Sequence, residues 1–161
     1  MDGARTADVA SAVAALAQAK GLTVGASESL TSGAVCSALG AAPQASDWFR
    51  GGLVAYASDV KFDVLDVPVG PVVSRPAALA MAHGAARLLR ADVVVAVTGA
   101  GGPDPQDGQE PGTVWFAAVA PRGEWTERHL FPGEPADVVQ AATQQAMKLL
   151  VGALEQSVTE V

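Results

Sequence analysis

The sequence has one cysteine, Cys36, and two histidines, His83 and His129. An intrachain disulfide is therefore excluded, and no Cys/His cluster with metal-ligand spacing exists. Cations are few: ten Lys and Arg stand against seventeen Asp and Glu, for a net charge of −7. Nucleic acid is excluded as a partner, because affinity for a phosphate backbone needs clustered Lys and Arg. A single small phosphate is not excluded, since a few local cations or helix-end amides can hold one. Charge of either sign is short, at 17% of residues, below the usual quarter or so. The surface is then expected to be small, neutral or covered. No apolar run is long enough to span a membrane. Residues 1–14 lack the basic start, apolar stretch and cleavage site of a secretory signal. We expect a soluble, cytoplasmic protein.

Half of the 161 residues are hydrophobic, enough for a sizeable core in a single domain over 1–161. There are no repeats and no dividing linker. Apolar residues Val9, Val13, Leu16 and Ala17 keep helical spacing over Thr6–Lys20, with Thr6 as cap. Leu22–Ala26 reads as a strand, and Ala34–Leu39 as a helix. Gly40–Ser46 reads as a loop, Trp48–Ser58 as a strand, and Asp59–Leu65 as a short helix. Ser74 caps a helix that carries Pro76 in its first turn and runs to Leu89. The β-branched run Asp92–Thr98 fits a strand covered on both faces. After a Gly/Pro/Asp loop over Gly99–Gly112, Thr113–Ala120 and Trp125–Phe131 read as strands, and Asp137–Val158 as a long helix. Helices alternating with strands, then a hairpin and a helix, give an α/β fold. It is expected to be a three-layer α/β/α sandwich on a mostly parallel sheet with one antiparallel member.

Open α/β sheets bind ligands at the carboxyl ends of their strands. Three polar segments fall there: Ser27–Gly33, Tyr56–Lys61 and Thr98–Asp104. Ser29 sits where a strand turns into a helix, either as a cap or as a hydroxyl near free helix amides able to stabilise an oxyanion or phosphate. A serine nucleophile needs a base. His83 lies mid-helix and His129 inside a strand, so both read as structural. Lys61 is either a solvated surface lysine or, if desolvated, a base of lowered pKa. Gly99–Asp104 matches neither a dinucleotide fingerprint nor a P-loop, and is a phosphate cradle or an ordinary loop. Cys36 reads as a small core residue.

In order along the chain, these segments resemble the CinA C-terminal domain family, whose stand-alone members include nicotinamide-nucleotide amidohydrolases. Ser27-Glu28-Ser29-Leu30-Thr31-Ser32-Gly33 resembles its AESCTGG signature. Ser46–Tyr56 resembles S-x-W-F…G-x-V-x-Y, and Tyr56–Lys61 keeps Y-S-N-x-x-K spacing. Val73-Ser74 is similar to A-V-S, Val97–Asp104 to V-T-G-I-A-G-P-D, and Gly112–Trp115 to G-T-V-W. The resemblance implies a three-layer fold and hydrolysis of nicotinamide mononucleotide to nicotinic acid mononucleotide and ammonia, in pyridine-nucleotide recycling. It implies Ser29 as nucleophile, Lys61 as base and Tyr56 as an orienting catalytic residue. It also implies a substrate pocket of Glu28, Thr31, Gly33, Thr98, Gly99 and Thr113, with no metal and no cofactor.

The chain departs from the pattern at several positions. Leu30 stands where the family has its signature cysteine, and Arg75 where it has an acid. The family's F-x-G-D-R-x-x-V-R segment reads Phe131–Val139 here, with Pro135 and Val139 in place of both arginines. One charge-assisted contact to phosphate is worth about 1.5–3 kcal/mol. Arg50 and Arg75 are the cations that can replace them. Two other readings stay open: an amidase for another small amide, and a binding module that has lost catalysis. Ala-rich helix faces and low surface charge fit either a homo-oligomer or an ordinary packed domain.

Overall fold

The computed structural model of the chain describes residues 2–157. Five strands form one sheet in the order β2-β1-β3-β4-β5. They are β1 (Val24–Glu28), β2 (Phe49–Val54), β3 (Val93–Gly99), β4 (Thr113–Ala120) and β5 (Gly123–Leu130). The first strand pairs parallel with β2 and β3, while β4 is antiparallel to both neighbours. Four strands therefore share one direction and β4 alone opposes them, the mixed sheet that the sequence pattern predicts.

Helices cover both faces. They are α1 (Asp2–Lys20), α2 (Ala34–Gly40), α3 (Ala45–Trp48), α4 (Ser58–Leu65), α5 (Arg75–Leu89) and α6 (Pro135–Gln156). One core packs α1, α2 and α6 onto Val93, Val95, Val97, Val114 and Phe116. The other packs α4 and α5 onto Val94, Ala96, Ala117 and Val119. Successive side chains of β3 thus enter opposite cores, as strand alternation requires, and β3 is buried throughout. Among the described residues no helix is long and apolar enough to cross a membrane.

Several boundaries move. The first helix starts at Asp2, so Thr6 lies inside it and is not the cap. The first strand is displaced to Val24–Glu28. Thr23 is held outside it by the carboxylate of Asp92, which accepts from the Thr23 N–H at 2.9 Å and from its hydroxyl at 3.0 Å. The expected strand over 48–58 shortens to Phe49–Val54, because Trp48 closes α3 and donates its indole N–H to the Pro43 carbonyl. The expected loop over 40–46 likewise contains the start of α3. Ser74 caps α5 as expected, accepting from the Ala77 N–H at 3.3 Å. The last helix begins at Pro135; Val158 lies outside the described residues.

Candidate active site

The carboxyl ends of β1, β2 and β3, the start of β4 and the end of β5 lie along one edge of the sheet. The Ser27–Gly33, Tyr56–Lys61 and Thr98–Asp104 segments all leave from that edge. Glu28 pairs with Val54 in the ladder, and Ala55 donates its N–H to the Glu28 carbonyl at 2.8 Å. Ser29 and the segment leading to Lys61 therefore emerge from neighbouring strands, about 4.8 Å apart.

Alternation along β1 divides its last residues between the two faces. Val24 and Ala26 join the α1/α2/α6 core, so Glu28 follows them and Ser27 points the other way, toward α4 and α5. The side chain of Glu28, fully buried, accepts from the N–H groups of Val35 and Cys36, each at 2.9 Å. These are two of the orphan donors of α2. Ala34 meanwhile donates to the Thr31 carbonyl at 2.9 Å. The amides of Ala34, Val35 and Cys36 are thus already satisfied within the chain. Glu28 emerges as a helix cap, a position that motif reading places among the substrate contacts. Burial, then the Glu28 carboxylate, push the Cys36 thiol well above its ordinary range, which suits a packing residue rather than a nucleophile.

Between β1 and α2 the chain turns tightly. Ser32 donates its N–H to the Ser29 carbonyl at 3.0 Å, and Gly33 takes φ 101°, a conformation that glycine adopts at low cost. Ser29 is buried. Among the described residues, the N–H groups of Leu30, Thr31 and Gly33 have no hydrogen-bond partner. The hydroxyls of Ser27, Thr31 and Thr113 are buried and equally unpartnered. A buried polar group without a partner is unfavourable by about 1–3 kcal/mol. Three at one edge mark a place built to meet something other than its own chain.

Lys61 lies on the buried face of α4 with Leu65, one turn on. Its side chain is among the largest fully buried ones, at 1% exposure. Nζ donates to the Tyr56 carbonyl at 3.0 Å. Burial pulls its pKa below the ordinary lysine value, and the charge of Asp107 pulls it partly back. Of the two readings of Lys61, the desolvated one holds. No hydrogen bond joins Ser29 to Lys61. Tyr56, named with them, is 69% exposed, and it is its backbone carbonyl that reaches Lys61.

Thr98 donates its hydroxyl to the Val72 carbonyl at 2.7 Å, so it fastens the segment before α5 to the sheet. Gly99 allows close strand approach: a Cβ there would lie 2.8 Å from the Thr113 carbonyl oxygen. The two replacement cations do not converge on Ser29. Arg50, at the opposite end of β2, donates to the Leu89 carbonyl, and Arg75 donates to Thr126 midway along β5. Of the positions that lack arginine, Val139 lines a separate cavity of about 550 Å³ between α1, α2 and α6, whose walls include Ala10, Ala38 and Gln140. Among the described residues no group of three or more His, Cys, Asp and Glu could hold a metal ion. His83 pairs with Glu124 at the far end of β5, and His129, near the carboxyl end of β5, pairs with Glu127.

Sequence reasoning missed Asp107. Its carboxylate accepts from the Val72 and Val73 N–H groups at 2.8 and 3.1 Å. The Asp107-Gly108 pair, a turn signal, was the available hint, though it gave no target for the side chain.

Comparison with known proteins agrees with the fold. The profile of the CinA C-terminal domain family matches residues 6–154. The nicotinamide-nucleotide amidohydrolase PncC of Escherichia coli (strain K12) is 36% identical over 140 residues, 83% of this chain and 85% of that protein. A CinA-like protein of Syntrophobacter fumaroxidans is 36% identical over 137 residues, 81% of this chain and 32% of that one. In several curated relatives, that one among them, the chain spans about a third of the relative's length. The crystal structure of a CinA superfamily protein from Klebsiella pneumoniae superposes with a TM-score of 0.89 at 31% identity, covering 94% of this chain and 99% of the other. The chain belongs to the CinA C-terminal domain family.

Proposed function

We propose that the chain hydrolyses the carboxamide of nicotinamide mononucleotide, giving nicotinic acid mononucleotide and ammonia, as a step in pyridine-nucleotide recycling. The carrying observation is Lys61: a buried lysine of lowered pKa at the sheet edge that also bears Ser29. The relative named as a nicotinamide-nucleotide amidohydrolase supports the substrate.

In this reading neutral Lys61 takes the proton of the Ser29 hydroxyl as its oxygen attacks the carboxamide carbon. The tetrahedral intermediate carries its charge on the former carbonyl oxygen. The unpartnered N–H groups of Leu30, Thr31 and Gly33 are the donors at hand to stabilise it. Lys61 then gives its proton to the leaving nitrogen, ammonia departs, and an ester on Ser29 remains. Water attacks that ester with Lys61 again as base, and the proton returns to Ser29. The buried Thr31 and Thr113 hydroxyls are offered to the substrate. The Tyr56 carbonyl orients the lysine.

One observation favours a second reading, in which the amide substrate carries no phosphate. Helix N-termini commonly hold phosphate, but two of those at this edge already carry the chain's own carboxylates. Glu28 closes α2, and Glu134 with Asp137 forms a capping box on α6. The approach to α5 is held by Asp107. Ammonia release from nicotinamide mononucleotide and from nicotinamide riboside, each beside a Ser29→Ala control, separates the two. Serine-dependent release from the nucleotide supports the first reading. Release from the riboside alone supports the second, and release from neither, by folded protein, refutes both.

A further inference from the structure

We propose that Asp107 is a positioning residue for Lys61: from a rigid turn in the loop between β3 and β4, it fixes the segment bonded to the lysine's own backbone and sets a negative charge against its ammonium. The inference rests on the proposed role of Lys61 as base.

The turn comes first. Gln106 and Gln109 exchange both backbone hydrogen bonds, at 3.2 and 2.8 Å. The two residues between them, Asp107 and Gly108, have φ 52° and 73°. Positive φ at both central residues marks a type I′ turn, which Asp-Gly favours. The side chain thus starts from a fixed backbone. Its Oδ2 accepts from two successive N–H groups, Val72 at 2.8 Å and Val73 at 3.1 Å, bonds strengthened by its charge.

The segment so held follows α4 and is bonded to the lysine's own backbone. It begins at Val67, whose N–H donates to the Lys61 carbonyl at 3.2 Å. It ends at Val72, whose carbonyl takes the Thr98 hydroxyl. One strap therefore runs from the backbone of α4 to the end of β3, and Asp107 pins its far end.

Asp107 is also the acid whose charge opposes the effect of burial on Lys61. Among the described residues Glu28 is the one other buried charged side chain, and it lies against α2 on the opposite face of the sheet. The strap over 67–73 has no ionisable residue, α5 buries only Ala77, Ala78, Met81, Ala82, Gly84 and Ala85, and β1 turns Ser27 that way. On α4 itself Asp59 and Asp63 are exposed. Lys61 must first accept a proton and then donate it to ammonia. Its affinity must be neither too low for the first step nor too high for the second. Burial lowers that affinity and Asp107 limits the fall.

The test compares Asp107→Asn, which keeps an acceptor for Val72 and Val73 but loses the charge, with Asp107→Ala, which loses both. The Lys61 side chain is titrated by NMR of lysine-labelled full-length protein, with Lys20 and Lys148 as internal references. Ammonia release is followed against pH in parallel. In Asp107→Asn the Lys61 midpoint is expected to move to lower pH, carrying the acid limb of the rate profile with it. Asp107→Ala is expected to show that shift together with a rate loss at every pH. An unmoved Lys61 midpoint in Asp107→Asn overturns the proposal and leaves Asp107 a structural staple. Because the titration needs no substrate, it reads the same if the amidohydrolase assignment fails.

Discussion

Glu28 offers the sharpest test of the physical reading, because its residue type alone suggests chemistry while its geometry gives it a capping role. The carboxylate is fully buried and accepts two hydrogen bonds of 2.9 Å from the first turn of α2. In Glu28→Gln one oxygen becomes an NH2 group facing an N–H donor, so at least one charge-assisted bond is lost, and with it the favourable meeting of anion and helix N-terminus. Part of this returns, because the neutral amide is cheaper to bury. The net loss is expected at about 1–3 kcal/mol. Glu28→Ala strands both N–H groups and is expected to cost about 2–6 kcal/mol, at about 1–3 kcal/mol for each buried donor left without a partner. At this length each kcal/mol lowers Tm by roughly 2–4 °C. Denaturant unfolding reads the change as a lower midpoint at constant m. Because α2 has only seven residues and the Ser29 turn leads directly into it, both variants should also lose activity. A Glu28→Gln protein within about 0.5 kcal/mol of the parent, the range of ordinary surface changes, would refute the capping argument.

Two further outcomes follow from the same packing. Lys61→Met should abolish ammonia release yet stabilise the fold by about 0.5–2 kcal/mol at neutral pH. Folding lowers the Lys61 pKa, so the unfolded chain binds more protons between the lowered and the ordinary value. Parent stability therefore rises with pH through that window, and denaturation at two pH values should show the gap to the variant closing; a less stable variant at neutral pH would count against a buried ammonium. Gly84→Ala would set a Cβ 2.4 Å from the Leu65 carbonyl oxygen. Despite the better helix propensity of alanine, worth about 1 kcal/mol, forcing α4 off α5 should cost about 1–3 kcal/mol net and lower activity by moving Lys61; an unchanged Tm would contradict that close approach.

Most of the fold was legible where one local rule acted alone. The Val93–Val97 run could bury both of its faces only as an inner strand, and it is one. Ser74 and Pro76 mark the start of α5 through short-range sterics and one hydrogen bond. Reading failed where a distant partner decided. Thr23 has strand character but is held by Asp92, sixty-nine residues on. Ser27 and Glu28 look like loop residues, yet complete β1 because each finds a buried place on its own face of the sheet. The edge that gathers Ser29, Lys61 and Thr98 was predictable from strand polarity. The partners of Glu28 and Asp107 were not, since no spacing rule links a carboxylate to amides across seven or thirty-five residues.

The disposition of those carboxylates explains how an acidic chain can still hold a lowered lysine pKa. Negative charge near Lys61 opposes neutralisation of its ammonium, so an indiscriminate acidic lining would spoil the base. Glu28 is one residue from Ser29, but strand alternation sends it to the opposite face, where helix N–H groups bind its charge. Glu134 and Asp137 are likewise engaged with the first turn of α6. Asp107 alone is felt at Lys61, and it arrives on a separate loop whose turn fixes its position. The basicity of the site is thus set first by burial and then by Asp107, with the other three acids engaged by helix N–H groups. A net charge of −7 says nothing of that, which is why a change of one face at Glu28 would matter more to Lys61 than several acids added to the exposed helix surfaces, where solvent screens them.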